Sequence, residues 1–179
     1  RLPFDVARAA YERAKNRLIV ADYDGTLTQL QSVPQLATPS PYITNLLDSL
    51  SKDPRNTVVI VSGREKRFMD TWLGKLKMAL AAEYGFYYRM PDEEAWQTMA
   101  PEVDTSWRDI VRPILEYFTE RTPGTYIEKK ESSLTWHYRD ADPNFGSWQA
   151  KDMQIQLEDV LSNLPLEIIQ GNRMVEVRH

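Results

Sequence analysis

Three short apolar runs punctuate the first hundred residues: Arg17 to Ala21 (RLIVA), Thr57 to Val61 (TVVIV) and Met78 to Ala82 (MALAA). Each has the length of a strand and turn-forming neighbours. Their hydrophobicity is continuous rather than alternating, which predicts strands covered on both faces. Between the first two runs, Ser40 and Pro41 form an N-cap and first helical residue, and Tyr42, Ile43, Leu46, Leu47 and Leu50 then line one helical face. After the second run, Phe68, Met69, Trp72, Leu73 and Leu76 repeat that spacing. The pattern predicts a β-α-β-α-β unit with a parallel sheet, whose ligands bind beyond the carboxyl ends of the strands.

Around Pro101 to Asp104 the pattern changes, which divides the chain into residues 1–102 and 103–179. A helix with Trp107, Ile110, Val111, Ile114, Leu115 and Phe118 inward is predicted first. Pro113 inside it removes a hydrogen bond, so it kinks the axis or marks a later helix start. Arg121 to Gly124 (RTPG) is a turn, followed by strands at Thr125 to Lys130 and Ser133 to Tyr138. A second helix around Ala150, Met153, Leu157, Val160 and Leu161 leads to strands at Leu166 to Ile169 and Met174 to Arg178, with Gly171 and Asn172 between them. This half is predicted as α-β-β-α-β-β with antiparallel pairing.

Composition narrows the functional classes. With 179 residues, 42% hydrophobic and 27% charged, the chain has the material for one domain or a core with a compact insert, and disorder is disfavoured. Its 22 Lys and Arg against 26 Asp and Glu contain no basic tract able to track a phosphate backbone, so nucleic acid is not an expected partner. The absence of cysteine excludes disulfides, thiolate catalysis and cysteine-based metal sites. Arg1 to Arg17 is charged and helix-like, and no stretch approaches the ~18 apolar residues of a membrane span. No membrane association and a cytoplasmic location are expected.

The chemistry concentrates where the first strand ends, in Asp22-Tyr23-Asp24-Gly25-Thr26. Residues two apart on an extended chain project to one side, so Asp22 and Asp24 converge, and Gly25 lets the chain turn. Adjacent carboxylates repel unless a cation compensates them, and hard oxygen donors favour Mg²⁺. A solvated Asp-Gly turn is the plainer alternative, but it does not require the preceding apolar strand or the matching Ser62-Gly63-Arg64 at the end of the second strand. Ser62 is either a simple helix N-cap or, beside the two aspartates, a phosphate donor together with the amides near Gly63. Arg64 either approaches the phosphate or forms an ion pair with nearby acids.

The DxDGT stretch at Asp22 to Thr26 and VIVSGR at Val59 to Arg64 resemble the first two motifs of haloacid-dehalogenase-type phosphatases. Thr71 to Gly74 (TWLG), Ala82 to Gly85 (AEYG), Arg121 to Gly124 (RTPG), Ile127 to Lys130 (IEKK), Leu134 to Arg139 (LTWHYR) and Val175 to Arg178 (VEVR) are similar to stretches of the trehalose-6-phosphate phosphatase family. The resemblance implies an α/β, haloacid-dehalogenase-like Rossmannoid core with a smaller α+β cap over 103–179. It implies a Mg²⁺-dependent phosphatase acting on trehalose 6-phosphate, with Asp22 as nucleophile and Asp24 as acid and base, and with Asp22 and Asp24 as metal ligands, Asp24 through its backbone carbonyl. It also implies a trehalose-phosphate synthase domain or subunit as partner. The family continues past VEVR into a lysine-bearing third motif and an acidic fourth motif, so the carboxyl-terminal part of the core lies outside this sequence.

In the second half, Glu128 and Lys130 share one strand face, as do Glu176 and Arg178, opposite Val175 and Val177. Composition alone sends these charges to solvent; the resemblance implies that Glu128, Lys130, Glu176 and Arg178 contact the sugar. His137 receives no role, and the five tryptophans are expected mostly in the core. Two alternatives remain: another capped sugar-phosphate phosphatase or phosphomutase, and a regulatory or scaffolding module of a trehalose-synthesis complex with catalysis impaired.

Overall fold

The computed structural model describes residues 3–31, 34–99 and 104–179, and the chain divides into two compact units, Arg1–Pro101 and Glu102–His179. Residues 100–103, where the sequence pattern changes, and the first two residues of the amino-terminal segment lie outside the described residues.

The first unit contains helix α1 (Phe4–Arg13), strand β1 (Arg17–Asp22), α2 (Pro41–Lys52), β2 (Asn56–Val61), α3 (Lys66–Leu73), and β3 (Ala79–Ala82), β4 (Tyr87–Arg89) and β5 (Gln97–Thr98). The sheet runs in the order β1-β2-β3-β4-β5. Its first three strands are parallel, with Asp22 in register with Val61 and Val61 with Ala81. The Ser40 side chain caps α2 by accepting the Ile43 N–H at 3.3 Å, and Pro41 opens the helix. The core joins Ile19 and Ala21 of β1, Val58 and Ile60 of β2 and Leu80 of β3 to Leu47, Met69 and Leu73 of the two helices.

The two-sided covering expected of these strands is not what the described residues show. Leu18 is 69% exposed and Val20 58%, while Ile19 and Ala21 face the helical core. Right-handed crossovers that advance in one direction place both helices on the same face, which leaves the alternate side chains of β1 open. The sheet is also longer than expected: β4 and β5 continue it antiparallel to β3. These short strands are defined by their pairing rather than by any local apolar run. Trp72 is 41% exposed and Leu76 lies past the end of α3, so only Met69 and Leu73 of that predicted stripe are buried within the helix.

The second unit contains α4 (Arg108–Arg121), β6 (Tyr126–Lys129), β7 (Ser133–His137), α5 (Pro143–Leu161), β8 (Glu167–Gly171) and β9 (Met174–Arg178). Its antiparallel sheet has the order β6-β7-β9-β8. One face, with Leu134, Trp136, Val175 and Val177, packs in a single cluster with Val111, Leu115 and Phe118 of α4 and Met153 and Leu157 of α5. The Asp142 carboxylate caps α5 by accepting the Asn144 and Phe145 N–H groups at 3.0 and 2.8 Å. The turn before β6 depends on Gly124 at φ +86°, where a Cβ would lie 2.3 Å from the Asp140 carbonyl oxygen.

Helix α4 begins at Arg108 and runs through Pro113, so a later start is excluded. Ile110 and Val160, expected inward, are 44% and 46% exposed because they flank rather than centre the buried stripes of α4 and α5. On this packing, Phe118→Ala should destabilise the second unit by about 3–5 kcal/mol, whereas Ile110→Ala on the same helix should stay within about 1 kcal/mol. Urea unfolding of the two variants checks this, and comparable losses would contradict the assigned packing.

Candidate active site

The site begins with a local alternation at the end of β1. Asp22 is exposed, Tyr23 is fully buried and Asp24 is half-buried, so the aromatic side chain enters the core while its two acidic neighbours point to the other side. Tyr23 is fixed there by donating its hydroxyl to the Ala37 carbonyl at 2.8 Å and by meeting the Phe68 ring edge-on at 5.4 Å between centroids. Burial pushes the Tyr23 phenol up to about 12, with the nearby Asp24 adding to the rise and Arg64 opposing it. The chain then folds back: the Leu27 and Thr28 N–H groups donate to the Tyr23 carbonyl at 3.0 and 3.1 Å, and the Gly25 N–H donates to the Thr28 carbonyl at 2.8 Å. Gly25 takes φ +81° to close this turn.

The neighbouring strand end supplies the second half. Ser62 is buried, its N–H donates to the Ala81 carbonyl at 2.9 Å, and its Oγ accepts the Arg64 N–H at 3.2 Å. Sequence spacing offers Ser62 as a helix cap, but α3 starts only at Lys66, with Glu65 at its N-cap and no side-chain cap bond. Ser62 therefore organises a loop rather than a helix end, and the amides near Gly63 precede the helix instead of opening it. A Cβ at Gly63 would lie 2.5 Å from Tyr84 Cζ and 2.6 Å from its hydroxyl, so a larger residue there would oblige the end of the half-exposed Tyr84 side chain to shift.

A third segment braces this loop. The Glu83 N–H donates to the Arg64 carbonyl at 3.0 Å and the Tyr84 N–H to the Ser62 carbonyl at 2.9 Å. Glu83, Tyr84 and Gly85 all have positive φ, at +47°, +58° and +93°. Two consecutive non-glycine residues in the left-handed region cost of order 1–3 kcal/mol each and persist only where the surroundings impose them. Residue patterns alone gave Glu83 and Tyr84 no role; the available signal was their position directly after the third parallel strand, on the ligand side of such sheets.

Arg64 connects the two strand ends. Its Nε donates to Asp24 Oδ2 at 2.9 Å and its Nη2 to Asp24 Oδ1 at 2.6 Å, while the guanidinium lies 4.4 Å from the Phe68 ring centroid. The Asp24 carboxylate is thus engaged by a cation of the chain itself. Among the described residues there is no group of three or more His, Asp or Glu side chains placed to hold a metal. The donor chemistry of the Asp22 carboxylate and the Asp24 backbone carbonyl nevertheless fits Mg²⁺, which commonly binds one or two carboxylates and completes its shell with water and phosphate.

The second unit carries the other residues singled out from sequence. Register places Glu128, Thr135 and Glu176 in one row across β6, β7 and β9, with Ser133 and Arg178 in the next row and Lys130 just past the end of β6. Val175 and Val177 face the helices, so this row lies on the opposite side of the sheet. Glu128 is hydrogen-bonded to His137 at 2.7 Å, and Tyr126 stacks on the His137 ring at 4.6 Å. Arg178 approaches Glu167 at 3.6 Å. Glu176 is 1% exposed, and its Oε2, like Thr135 Oγ1 and Ser133 Oγ, is buried without a hydrogen-bond partner among the described residues. Each such orphan costs on the order of 1–3 kcal/mol unless something satisfies it. Of the tryptophans, Trp107 and Trp136 are buried, Trp96 donates to Asp70 at 2.9 Å, and Trp72 and Trp148 are exposed.

Residues 20–179 match the family model described as trehalose-phosphatase. Alpha,alpha-trehalose-phosphate synthase [UDP-forming] A of Dictyostelium discoideum is 44% identical over 168 residues, covering 94% of this chain and 22% of that protein. The chain thus spans about a fifth of the length of the curated relatives it matches. The trehalose-6-phosphate phosphatase C-terminal domain of C. albicans superposes with a TM-score of 0.93 at 39% identity, over 97% of this chain and 60% of that one. At the level of fold alone, a haloacid dehalogenase-like hydrolase from Bacteroides thetaiotaomicron superposes with a TM-score of 0.66 at 10% identity, over 92% of this chain and 71% of that one.

The anchoring of Tyr23 has a measurable consequence. Its phenol is harder to ionise in the folded than in the unfolded chain, so its contribution to stability is complete below about pH 10 and is lost as pH rises towards about 12. Tyr23→Phe should cost about 1–3 kcal/mol at neutral pH, by orphaning the Ala37 carbonyl, and should remove that part of the alkaline decline. Unfolding curves for the two proteins that stay parallel from pH 9 to about 12 would contradict the assignment.

Proposed function

The chain belongs to the trehalose-phosphatase family, and on that premise we propose that it carries the first catalytic motifs of a Mg²⁺-dependent phosphatase that hydrolyses trehalose 6-phosphate to trehalose and phosphate. The observation that supports this most directly is the pair Asp22 and Asp24 at the carboxyl end of β1, beside Ser62 at the end of the adjacent parallel strand. One exposed carboxylate and one held carboxylate suit a division of labour between nucleophile and acid–base.

In this reading Asp24 enters protonated on one oxygen, with Arg64 retained on the other; an Asp22 carboxylate oxygen attacks phosphorus, and the bond to the sugar oxygen breaks as Asp24 delivers its proton to it. An aspartyl-phosphate and free trehalose result. Asp24, now a carboxylate, takes a proton from water as the water oxygen attacks the phosphoryl group, which releases phosphate and restores Asp22. Splitting one displacement into two lowers each barrier. Ser62 would hold a phosphoryl oxygen, with the Gly63 backbone close by because no side chain separates it from the loop. Mg²⁺ on Asp22 and the Asp24 carbonyl would offset the charge of the transferring group.

We assign the second unit the role of a sugar-recognising cap. Its orphaned Glu176, Thr135 and Ser133 groups are what sugar hydroxyls would satisfy, and Glu128, Lys130 and Arg178 border the same row. The exposed Leu18 and Val20 are taken as the surface on which the remainder of the core packs, in keeping with the longer C. albicans domain. A trehalose-phosphate synthase part or subunit is the proposed partner, in keeping with the name of the Dictyostelium relative, and the proposed location is cytoplasmic.

The test is phosphate release by the full-length protein with Mg²⁺. Trehalose 6-phosphate should be hydrolysed in preference to glucose 6-phosphate and sucrose 6-phosphate. Asp22→Asn should reduce turnover to background, and Asp24→Asn should lower it by about 10²–10⁴-fold. Unchanged turnover in Asp22→Asn would rule out the nucleophile assignment, and a preference for another ester would redirect the substrate.

A further inference from the structure

We propose that Arg64 is the positioning residue of Asp24, fixing the plane and direction of the carboxylate that serves the leaving oxygen, rather than a cation reserved for phosphate. The inference rests on the phosphatase reading of Asp22 and Asp24 and adds a residue through which Asp24 acts.

The geometry is that of a two-pronged fork. Nε and Nη2 of one planar guanidinium reach the two oxygens of one carboxylate at 2.9 and 2.6 Å. A single charge contact would leave the carboxylate free to swing, whereas two roughly parallel charge-assisted bonds fix its orientation. The two N–H bonds that hold Asp24 are not available to a phosphoryl group at the same time.

Arg64 is itself held through both its backbone and its side chain. Its carbonyl accepts the Glu83 N–H at 3.0 Å, its N–H is taken by Ser62 Oγ at 3.2 Å, and its guanidinium lies over the Phe68 ring at 4.4 Å. Its side chain is only 15% exposed. The left-handed residues Glu83 and Tyr84 supply the turn that brings the first of those amides into place. Strain in this turn therefore serves the orientation of a side chain just past the end of β1, 40 residues earlier in sequence than Arg64. Phe68 also contacts the Tyr23 ring, so the residue between the two aspartates and the arginine that holds one of them share a single aromatic support.

The chemistry makes this role separable from general folding. An alkoxide such as a departing sugar oxygen needs a proton as its bond to phosphorus breaks; a nitrophenolate departs readily without one. Misdirecting Asp24 should therefore slow phosphoryl transfer, read as kcat/KM, far more for alkyl esters than for activated aryl esters, whereas the later water step is common to all of them. Loss of phosphate binding, or a partly unfolded protein, would slow both classes alike.

The experiment measures kcat and KM of the full-length protein with Mg²⁺ for trehalose 6-phosphate, glycerol phosphate, phenyl phosphate and p-nitrophenyl phosphate, in wild type, Arg64→Ala and Arg64→Lys. In Arg64→Ala, the loss of kcat/KM on trehalose 6-phosphate should exceed that on p-nitrophenyl phosphate by at least about tenfold, with phenyl phosphate between them. Added guanidine should restore the alkyl-ester rate preferentially. Arg64→Lys, a point charge without the fork, should show the same ordering and provides the reading if Arg64→Ala does not fold. Equal losses of kcat/KM on all esters, or losses confined to KM, would overturn the proposal. Wild type that hydrolyses glycerol phosphate but not trehalose 6-phosphate, with the leaving-group ordering intact in the variants, would overturn the substrate assignment and support the role of Arg64. Wild type inactive on every ester would overturn both.

Discussion

The first unit's site depends on the burial of one side chain. Tyr23 lies between two aspartates, and its entry into the core fixes the strand end that carries them. Without that anchor nothing in the local sequence would hold two like charges two residues apart, because their repulsion favours a chain that turns them away from one another. The apolar energy of the core is in effect spent on keeping two carboxylates close. The parallel register of β1 and β2 then sets Ser62 beside this strand end rather than elsewhere along the edge.

The loop after β2 shows how a site can be rigid without regular structure. Ser62, Gly63 and Arg64 belong to neither strand nor helix, yet their backbone and side-chain groups are tied to Ala81, Glu83, Tyr84 and Asp24. The backbone partners come from β3 and the residues directly after it, so the packing of the third strand is transmitted to the guanidinium of Arg64. Small errors in the placement of β3 would therefore be felt at a carboxylate two strands away.

Much of this was legible in the residues, for identifiable reasons. Strands β1 and β2 and helix α2 are encoded locally, by apolar runs of the right length and by a Ser-Pro cap that the structure uses as such. The α-β-β-α-β-β order of the second unit follows from periodicities that stay separate over four to nineteen residues. What escaped is long-range. Strands β4 and β5 are too short to announce themselves and exist through pairing. The start of α3 was misplaced because Ser62 and Gly63 resemble a helix entry, while a loop held by distant groups has no local signature. The Asp24–Arg64 fork spans 40 residues and was only one of two options open to Arg64. Alternation places Glu176 opposite Val175 and Val177, but does not give the burial that leaves its Oε2 without a partner among the described residues.

The outer edge of β1 has a practical consequence. A strand with Leu18 and Val20 turned outward, and with no neighbour on its far side among the described residues, is a template on which another extended chain can dock. A polypeptide limited to this segment is therefore expected to stick to copies of itself as its concentration rises. Replacing Leu18 by lysine would place a charge on that template and should keep such a preparation in solution.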